Sequence, residues 1–333
     1  MENYPRGTGK LSIAVLVIVI IAAAGLVYAL NTGLIPIGPT GPTSTTNTTN
    51  PYPILDVDAE LDIVGDTEMI AAVQEHGFAG SGIKTDPYII ENLSIVSEYT
   101  CISIQNVEAS FIIRNCELQV ATLENWGICI YIGSCVDASV VNCRVEGGGS
   151  GIEFFNSDNG VIMECDVRYS WSAINMSESH WSRIEGNLIS NTTWGITLVA
   201  SNLTSVYYNE IMYSEIGILS QFSFRCMIDE NLITRTTYGI DVQGHSGNWT
   251  IAGNEIVYNS EIGIRFDDTV SEMIVYRNKL GWNTVHNAWD DGSENRWEYV
   301  SDGNSWHDYS GTGWYTIPGN AESIDHYPLL LEG

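Results

Sequence analysis

Six residues late in the chain have the types and spacing that acid–base or cation chemistry asks for: Asp241, Gln243, His245, Arg265, Asp267 and Asp268. Carboxylates beside an imidazole supply an acid and a base, or, with amide oxygens, an oxygen-rich calcium site. Two structural units placed 24 residues apart would set Arg265 beside Asp241 and Asp267 beside Gln243. The plainer reading of the same residues is a solvated Asp241–Arg265 ion pair among turn-forming Asp and His.

Aromatic residues form a second set. Trp126, Trp194 and Tyr238 each precede a glycine, and Tyr169, Tyr213 and Tyr258 each follow a recurrent Cys or Asn by four positions. Flat rings at regular spacing stack on sugar rings, which offer apolar faces with polar rims. Packing at the corners of a repeating fold is the competing explanation.

Both sets depend on a repeat that must position them. A Gly-Ile or Ala-Ile pair recurs at Ile128, Ile152, Ile174, Ile196, Ile218, Ile240 and Ile264, at intervals of 22 or 24 residues. In phase with it runs aliphatic-x-x-(Cys/Asn)-x-aliphatic, whose polar column is Cys116, Cys143, Cys165, Asn187, Asn209, Asn231, Asn254 and Asn278. Eight residues before most of these lies a further column, Cys135, Ser157, Ser179, Ser201, Ser223 and Ser246. Apolar residues alternate in stretches of three to five, the period of a strand with one buried face, and no run has helical spacing. The period predicts an all-β fold, a single-stranded right-handed parallel β-helix of about eight or nine turns. Stacked turns make the Cys/Asn column a buried ladder at a tight inward corner.

In that register the outward residues after each Gly-Ile are Cys129, Glu153, Asn175, Thr197, Leu219, Asp241 and Arg265. Glu153 and Asp241 then stand four turns apart, roughly 19 Å at strand spacing. Paired glycosidase carboxylates stand about 5 to 9.5 Å apart, so these two do not form such a pair.

Three segments, Gly80 to Leu93, the repeats, and Gly303 to Leu329, carry a resemblance to NosD-like right-handed parallel β-helix proteins. These belong to the pectin-lyase-like superfamily group with carbohydrate-binding and sugar-hydrolysis repeats, and the resemblance is greatest to the membrane-anchored forms abundant in archaea. It implies the fold and leaves the reaction open. Polygalacturonases of the superfamily carry Asn-Thr-Asp, Asp-Asp, Gly-His-Gly and Arg-x-Lys in that order. Here Gly244-His245-Ser246 precedes Asp267-Asp268, no Asn-Thr-Asp exists, and Arg277-Asn278-Lys279 is interrupted by the ladder residue Asn278. Pectate lyases place basic residues near calcium, whereas the whole chain has three lysines. No catalytic role transfers.

The termini suggest how such a coil is displayed. Leu11 to Leu30 is free of charge and long enough to cross about 30 Å of hydrocarbon. Arg6 and Lys10 precede it and no basic residue follows until Lys84, which places residues 1–10 in the cytoplasm and the bulk of the chain outside. A cleaved signal peptide is the alternative. Residues 31–53 have a stalk composition, 54–91 read as an N-terminal cap and opening of the coil, 92–280 as the repeats and 281–333 as a C-terminal cap. Within the last, Asp302-Gly303-Asn304 is a partial match to a calcium loop. Glycosylation acceptor triplets stand at Asn47, Asn92, Asn175, Asn191, Asn202 and Asn248.

A net charge of −28 argues against nucleic acid, anionic polysaccharide and anionic lipid as partners, unless bound divalent cations reverse it locally. Seven cysteines in an exported chain raise the question of disulfides. Their ladder positions favour buried thiols, with a Cys143–Cys165 bridge the geometric exception. The expected function is a membrane-anchored surface protein presenting a rigid rod to a glycan or a partner protein, with no cofactor, calcium excepted. A polysaccharide-acting enzyme using the cluster around Asp241 and Asp267 is the second possibility. A metal-handling accessory of a copper enzyme is the third, disfavoured by the lack of Met or His clusters.

Overall fold

Alternation puts one residue of every two into the interior, and successive turns of the chain extend the same three columns of aliphatic side chains. The computed structural model describes residues 55–56, 60–121 and 126–332, and these wind as a right-handed parallel β-helix with three sheets. Sheet I has twelve strands, from Leu55–Asp56 to Leu329–Leu330; sheet II has ten, from Leu61–Val64 to His286–Asp290; sheet III has nine, from Tyr88–Glu91 to Ile274–Tyr276. Each turn visits II, III and I in that order. Sheet II contributes Ile130, Ile152, Ile174, Ile196, Ile218, Ile240 and Ile264 to the core, all fully buried. The facing columns run through Val140, Ile162 and Ile184 in sheet III and Val145, Val167 and Ile189 in sheet I.

The coil has about eleven turns, not the eight or nine expected from the repeat. Winding begins before the recognisable repeat, with Leu61–Val64 already paired to Thr100–Gln105. It also continues beyond it, with Ser305–Trp306 paired to Lys279–Gly281 and Leu329–Leu330 paired to Ser305–Trp306. Trp306 there takes the buried place of an aliphatic residue. The helix Gly65–His76 lies at the N-terminal end with Met69 and Ala72 buried. Among the described residues no helix is long and apolar enough to cross a membrane; the expected span at 11–30, residues 1–10 and the stalk at 31–53 lie outside them.

At each corner the chain turns through a residue with positive φ, and the residue after it points inward. Glu164, Gly186, Tyr208, Glu230, Gly253 and Arg277 make this turn immediately before Cys165, Asn187, Asn209, Asn231, Asn254 and Asn278. Such a turn directs backbone N–H groups into the interior, where they need acceptors. The ladder provides them. Asn187 N–H donates to Asn209 Oδ1 at 2.9 Å, Asn209 to Asn231 at 2.9 Å, Asn231 to Asn254 at 2.9 Å and Asn254 to Asn278 at 3.0 Å. Each Nδ2 donates to the next Oδ1 and to a carbonyl of the preceding turn, as Asn231 does to Val206 O at 2.9 Å. The serine column works likewise, Ser157 N–H reaching Ser179 Oγ at 3.0 Å and Ser201 N–H reaching Ser223 Oγ at 3.0 Å.

The ladder outlasts the repeat. Asn278 N–H donates to Asn304 Oδ1 at 3.1 Å, and Asn304 N–H to Asp325 Oδ2 at 2.8 Å, so a carboxylate ends the row. A parallel row, Thr236, Asn259 and Asn283, stands at the corner between sheets I and II. All seven cysteines are buried and free. The Cys143–Cys165 bridge is absent, and the Cys165 thiol instead lies against Met163 O at 3.4 Å.

Asn231→Ala removes the acceptor of two Asn209 donors and the donor to Val206 O. Leaving these groups unsatisfied is expected to cost about 3 kcal/mol, read as a lower urea midpoint. Cys165→Asn adds a rung and is expected to hold or raise the midpoint. A wild-type midpoint for Asn231→Ala would show that the ladder does not hold the coil.

Candidate functional site

The outward columns of sheet II combine aromatic rings, amides and carboxylates. Its central column is Tyr131, Glu153, Asn175, Thr197, Leu219, Asp241, Arg265 and Trp289, in direct register from turn to turn. Tyr131, not Cys129, occupies the first of these places: Ile152 pairs with Ile130 and not with Ile128. Cys129 is fully buried inside. Beside the central column run Ile128, Ser150, Ser172, Trp194, Ile216, Tyr238, Ile262 and His286.

The expected acid–base cluster does not converge. Asp241 is completely buried and accepts from Arg265 Nε at 2.8 Å, from the second guanidinium nitrogen, and from Gln243 Nε2 at 2.6 Å. Arg265 also lies over the Tyr238 ring, 4.4 Å from its centroid. Asp267 is a turn carboxylate, accepting from Gly244 N at 3.1 Å and Thr269 N at 2.9 Å. His245 is exposed at a positive-φ corner and Asp268 is exposed one turn later. The register of Arg265 beside Asp241 is as expected. Its chemistry is that of a bidentate ion pair.

The aromatic columns separate into two kinds. Trp194 and Tyr238 share the outer column of sheet II, whereas Trp126 stands off it at a positive-φ corner, 56% exposed. Trp126 nonetheless joins them through Trp171, a residue the glycine-based pattern passes over because it precedes a serine. Ring centroids are 5.5 Å apart from Trp126 to Trp171 and 6.1 Å from Trp171 to Trp194, at 59° and 80°. Tilted rings leave faces available to a ligand. Tyr169, Tyr213 and Tyr258 instead occupy positive-φ positions at the corner between sheets I and II. Tyr258 is stacked on Trp282 at 5.1 Å and 11°, and Arg235 lies over Tyr213 while bonding its hydroxyl at 2.6 Å. Faces used in this way are not free for a sugar, so Tyr213 and Tyr258 are corner packing.

Glu153 is the residue that sequence pattern undervalued. Half-buried in the central column, it accepts from Ser150 Oγ at 2.7 Å and lies between Tyr131 and Asn175. Burial raises its carboxyl pKa above the ordinary value, against the lowering effect of Ser150 and Asn175. Burial also raises the Tyr131 phenol, and the Glu153 charge adds to it. Their strand pairing is the signal, and it becomes visible only once the register is moved from Ile128 to Ile130.

Of the acceptor asparagines, Asn191 and Asn248 are exposed at positive-φ corners, and Asn248 Nδ2 bonds Glu272 at 3.2 Å. Asn202 uses its Oδ1 to accept from Phe224 N at 2.8 Å. Asn175 lies within the central column, and the Oδ1 of Asn92 is buried without a hydrogen-bond partner. Asn47 lies outside the described residues. In the suggested calcium loop, Asp302 pairs with Arg277 and Asn304 is a ladder rung. Among the described residues no three His, Cys, Asp or Glu side chains are grouped to hold a metal. Burial pushes the Cys226 thiol up to about 12 and the Cys135 thiol up to about 11, which makes these two unreactive by environment.

Because folding raises the Glu153 pKa above 4.5, the folded chain holds this proton longer than the unfolded one, and stability falls as pH rises from 4.5 through the folded value. Glu153→Gln is expected to gain on the wild type at neutral pH and to match it below pH 4.5. Glu215, Asp229 and Asp325, also raised by burial, keep the remaining slope in both proteins. Denaturation midpoints across pH check this; parallel curves for the two proteins would refute it.

Comparison with known proteins agrees with this architecture. The Dettilon tailspike protein (gp208) is similar at TM-score 0.54 and 12% identity over 76% of this chain and 55% of that one, so the chain spans little more than half its length. A double mutant of the periplasmic alginate epimerase AlgG is similar at TM-score 0.55 and 14% identity over 73% of this chain and 69% of that one. The mannuronan C-5 epimerase AlgE6 A-module of Azotobacter vinelandii follows at TM-score 0.50 and 12% identity, over 73% and 81%. These likenesses carry the fold alone. No curated protein matches. Residues 113–311, more than half of the chain, match the family described as periplasmic copper-binding protein (NosD), and the chain belongs to the NosD family.

Proposed function

We propose that this protein is an extracytoplasmic β-helix, anchored by its N-terminal apolar segment, that binds a glycan chain along the outer face of sheet II without cleaving it. The observation that carries the reading is the run Trp126, Trp171 and Trp194 beside Tyr131, Glu153 and Asn175. Rings supply apolar contact to sugar faces, and the adjoining amide, hydroxyl and carboxyl groups can bond sugar hydroxyls. The periplasmic family description and the uncharged run from Leu11 to Leu30 support the location.

Among the described residues no second carboxylate stands next to Glu153 in its column. The neighbours of Glu153 in its column are Tyr131 and Asn175, and Asp241 stands four strand spacings away in an ion pair. Copper, named in the family description, finds no fitting donor set among the described residues. The stacked thiols Cys116 and Cys143 face backbone carbonyls at 3.3 and 3.4 Å, and His180 and His307 each use Nδ1 to accept a backbone N–H.

A glycan array probed with the full-length chain, followed by titration of any hit, tests the reading. Trp171→Ala and Trp194→Ala are each expected to weaken binding about tenfold, while Tyr258→Ala, on the corner row, leaves it within about twofold. Release of reducing ends from a bound glycan, abolished by Glu153→Gln, would replace binding with catalysis.

A further inference from the structure

We infer that two copies of this chain associate side by side and antiparallel along the corner between sheets II and III, with Leu203 on the two-fold axis. That corner holds five large apolar side chains in the open on three successive turns: Trp181 is 56% exposed, Phe222 47%, Phe224 45%, Leu203 39% and Met227 39%. Backbone bonds fix their adjacency. Trp181 N–H donates to Asn202 O at 3.0 Å, Leu203 N–H donates to Phe224 O at 3.0 Å, and Ser205 pairs with Met227. Trp181, Leu203 and Phe222 also stand at positive φ, a conformation that Asn takes readily and bulky side chains take against strain; Asn156, Asn159 and Asn248 fill the corresponding corners of other turns. A contiguous apolar patch of this kind marks contact with another molecule.

The charges around the patch say which molecule. Arg225 follows Trp181 and Leu203 in one column, exposed and without an ion-pair partner among the described residues, in a chain with 13 Lys and Arg against 41 Asp and Glu. Glu178 also lacks an ion-pair partner among them. It lies one turn before Leu203, and Arg225 lies one turn after it. A two-fold axis across the coil at Leu203 reverses the order of turns, so the Glu178 level of each copy meets the Arg225 level of the other. Charge complementarity of this sort fixes the register of a contact.

The remaining side chains agree with that axis. Trp181 comes opposite Arg225, a cation–π pair, and His180, whose ring lies 5.6 Å from that of Trp181, comes opposite Phe224. On the axial turn the residues around Leu203 are small, Ala200, Asn202 and Ser205, which lets the larger groups on either side interleave. Farther out Glu272 comes opposite Asp137, whose partner Lys84 is 76% exposed and carries a cation to that contact. An axis one turn either way sets Glu178 against Glu178 or Arg225 against Arg225, and a parallel pair does both. The tryptophans of sheet II stand at its opposite margin and stay open.

The seam covers about five turns, roughly 20 Å at strand spacing, which suits a weak, micromolar dimer. Sedimentation equilibrium of the full-length chain in detergent, made without N-glycosylation because Asn202 stands on the axial turn, is expected to show a monomer–dimer equilibrium in that range. Arg225→Glu weakens it about tenfold or more, and adding Glu178→Arg restores it to within about threefold. Since the native thiols are buried, Leu203→Cys is expected to give a disulfide-linked dimer on mild oxidation, whereas Thr312→Cys, exposed on the C-terminal cap, does not. A monomer at every concentration, indifference to Arg225→Glu, or no cross-link at Leu203→Cys each overturns the inference.

Discussion

Every corner of this coil faces the same problem: a left-handed residue turns the chain sharply, and the amide that follows points into an interior without water. An unpaired buried N–H costs about as much as a lost hydrogen bond, and the corners repeat some ten times along the axis. The chain resolves this by spending the next side chain as an acceptor for the neighbouring turn. Where that side chain is Asn, its amide simultaneously serves the rung beside it and a carbonyl of the turn before, so no polar atom is left over. Aliphatic stacking alone would tolerate a slip along the axis. Interlocked rungs do not, since a one-rung displacement would strand donors at three corners together.

A fixed register has consequences on the outside. Residues at one place in the repeat become a column about 4.8 Å apart, whatever their chemistry, so each sheet presents a strip whose character follows from one sequence position. The glycines ahead of the sheet II isoleucines show how closely the coil is wound. A Cβ at Gly195, Gly217 or Gly239 would meet the carbonyl of the next glycine at 2.4 to 2.5 Å. This close approach makes Gly-Ile recur, and it sets Trp194 and Tyr238 at the margin of the outer face immediately before the tight passage.

The period, the Asn and Ser ladders and the sheet alternation were all legible because one residue type recurs at a fixed interval wherever the interior demands it. Legibility ended where the interval lengthened and the residue type changed together toward the C-terminal end. Rungs 22 residues apart give way to 23 between Asn231 and Asn254, 24 between Asn254 and Asn278 and then 26 to Asn304, and the last acceptor is Asp325, a different residue type. Pattern matching therefore stopped at Asn278 although the hydrogen bonds did not. At the other end, Gly127-Ile128 imitates the repeat but lies two residues out of register, because Ile130 takes the core position. That small displacement hid the Tyr131–Glu153 neighbours. On the exposed faces nothing enforces recurrence, so Trp171 and Glu153 carry no periodic mark; they had to be found by adjacency.

This division between interior and face bears on what such a coil can evolve to do. Replacing a rung disturbs two turns at once, whereas replacing Thr193 or Glu215 on the rim changes only what the strip offers to solvent. The same register that makes the interior intolerant makes the face modular, with each turn adding one independent position along a ligand that runs parallel to the axis. Two sheets use that freedom to pair acid with base across adjacent or next-but-one positions. Sheet II concentrates rings at one end, and among the described residues the one Lys or Arg on its strands is Arg265, paired with Asp241. The rings gathered at one end of sheet II are thus where a freely variable face and a ligand-sized contact coincide.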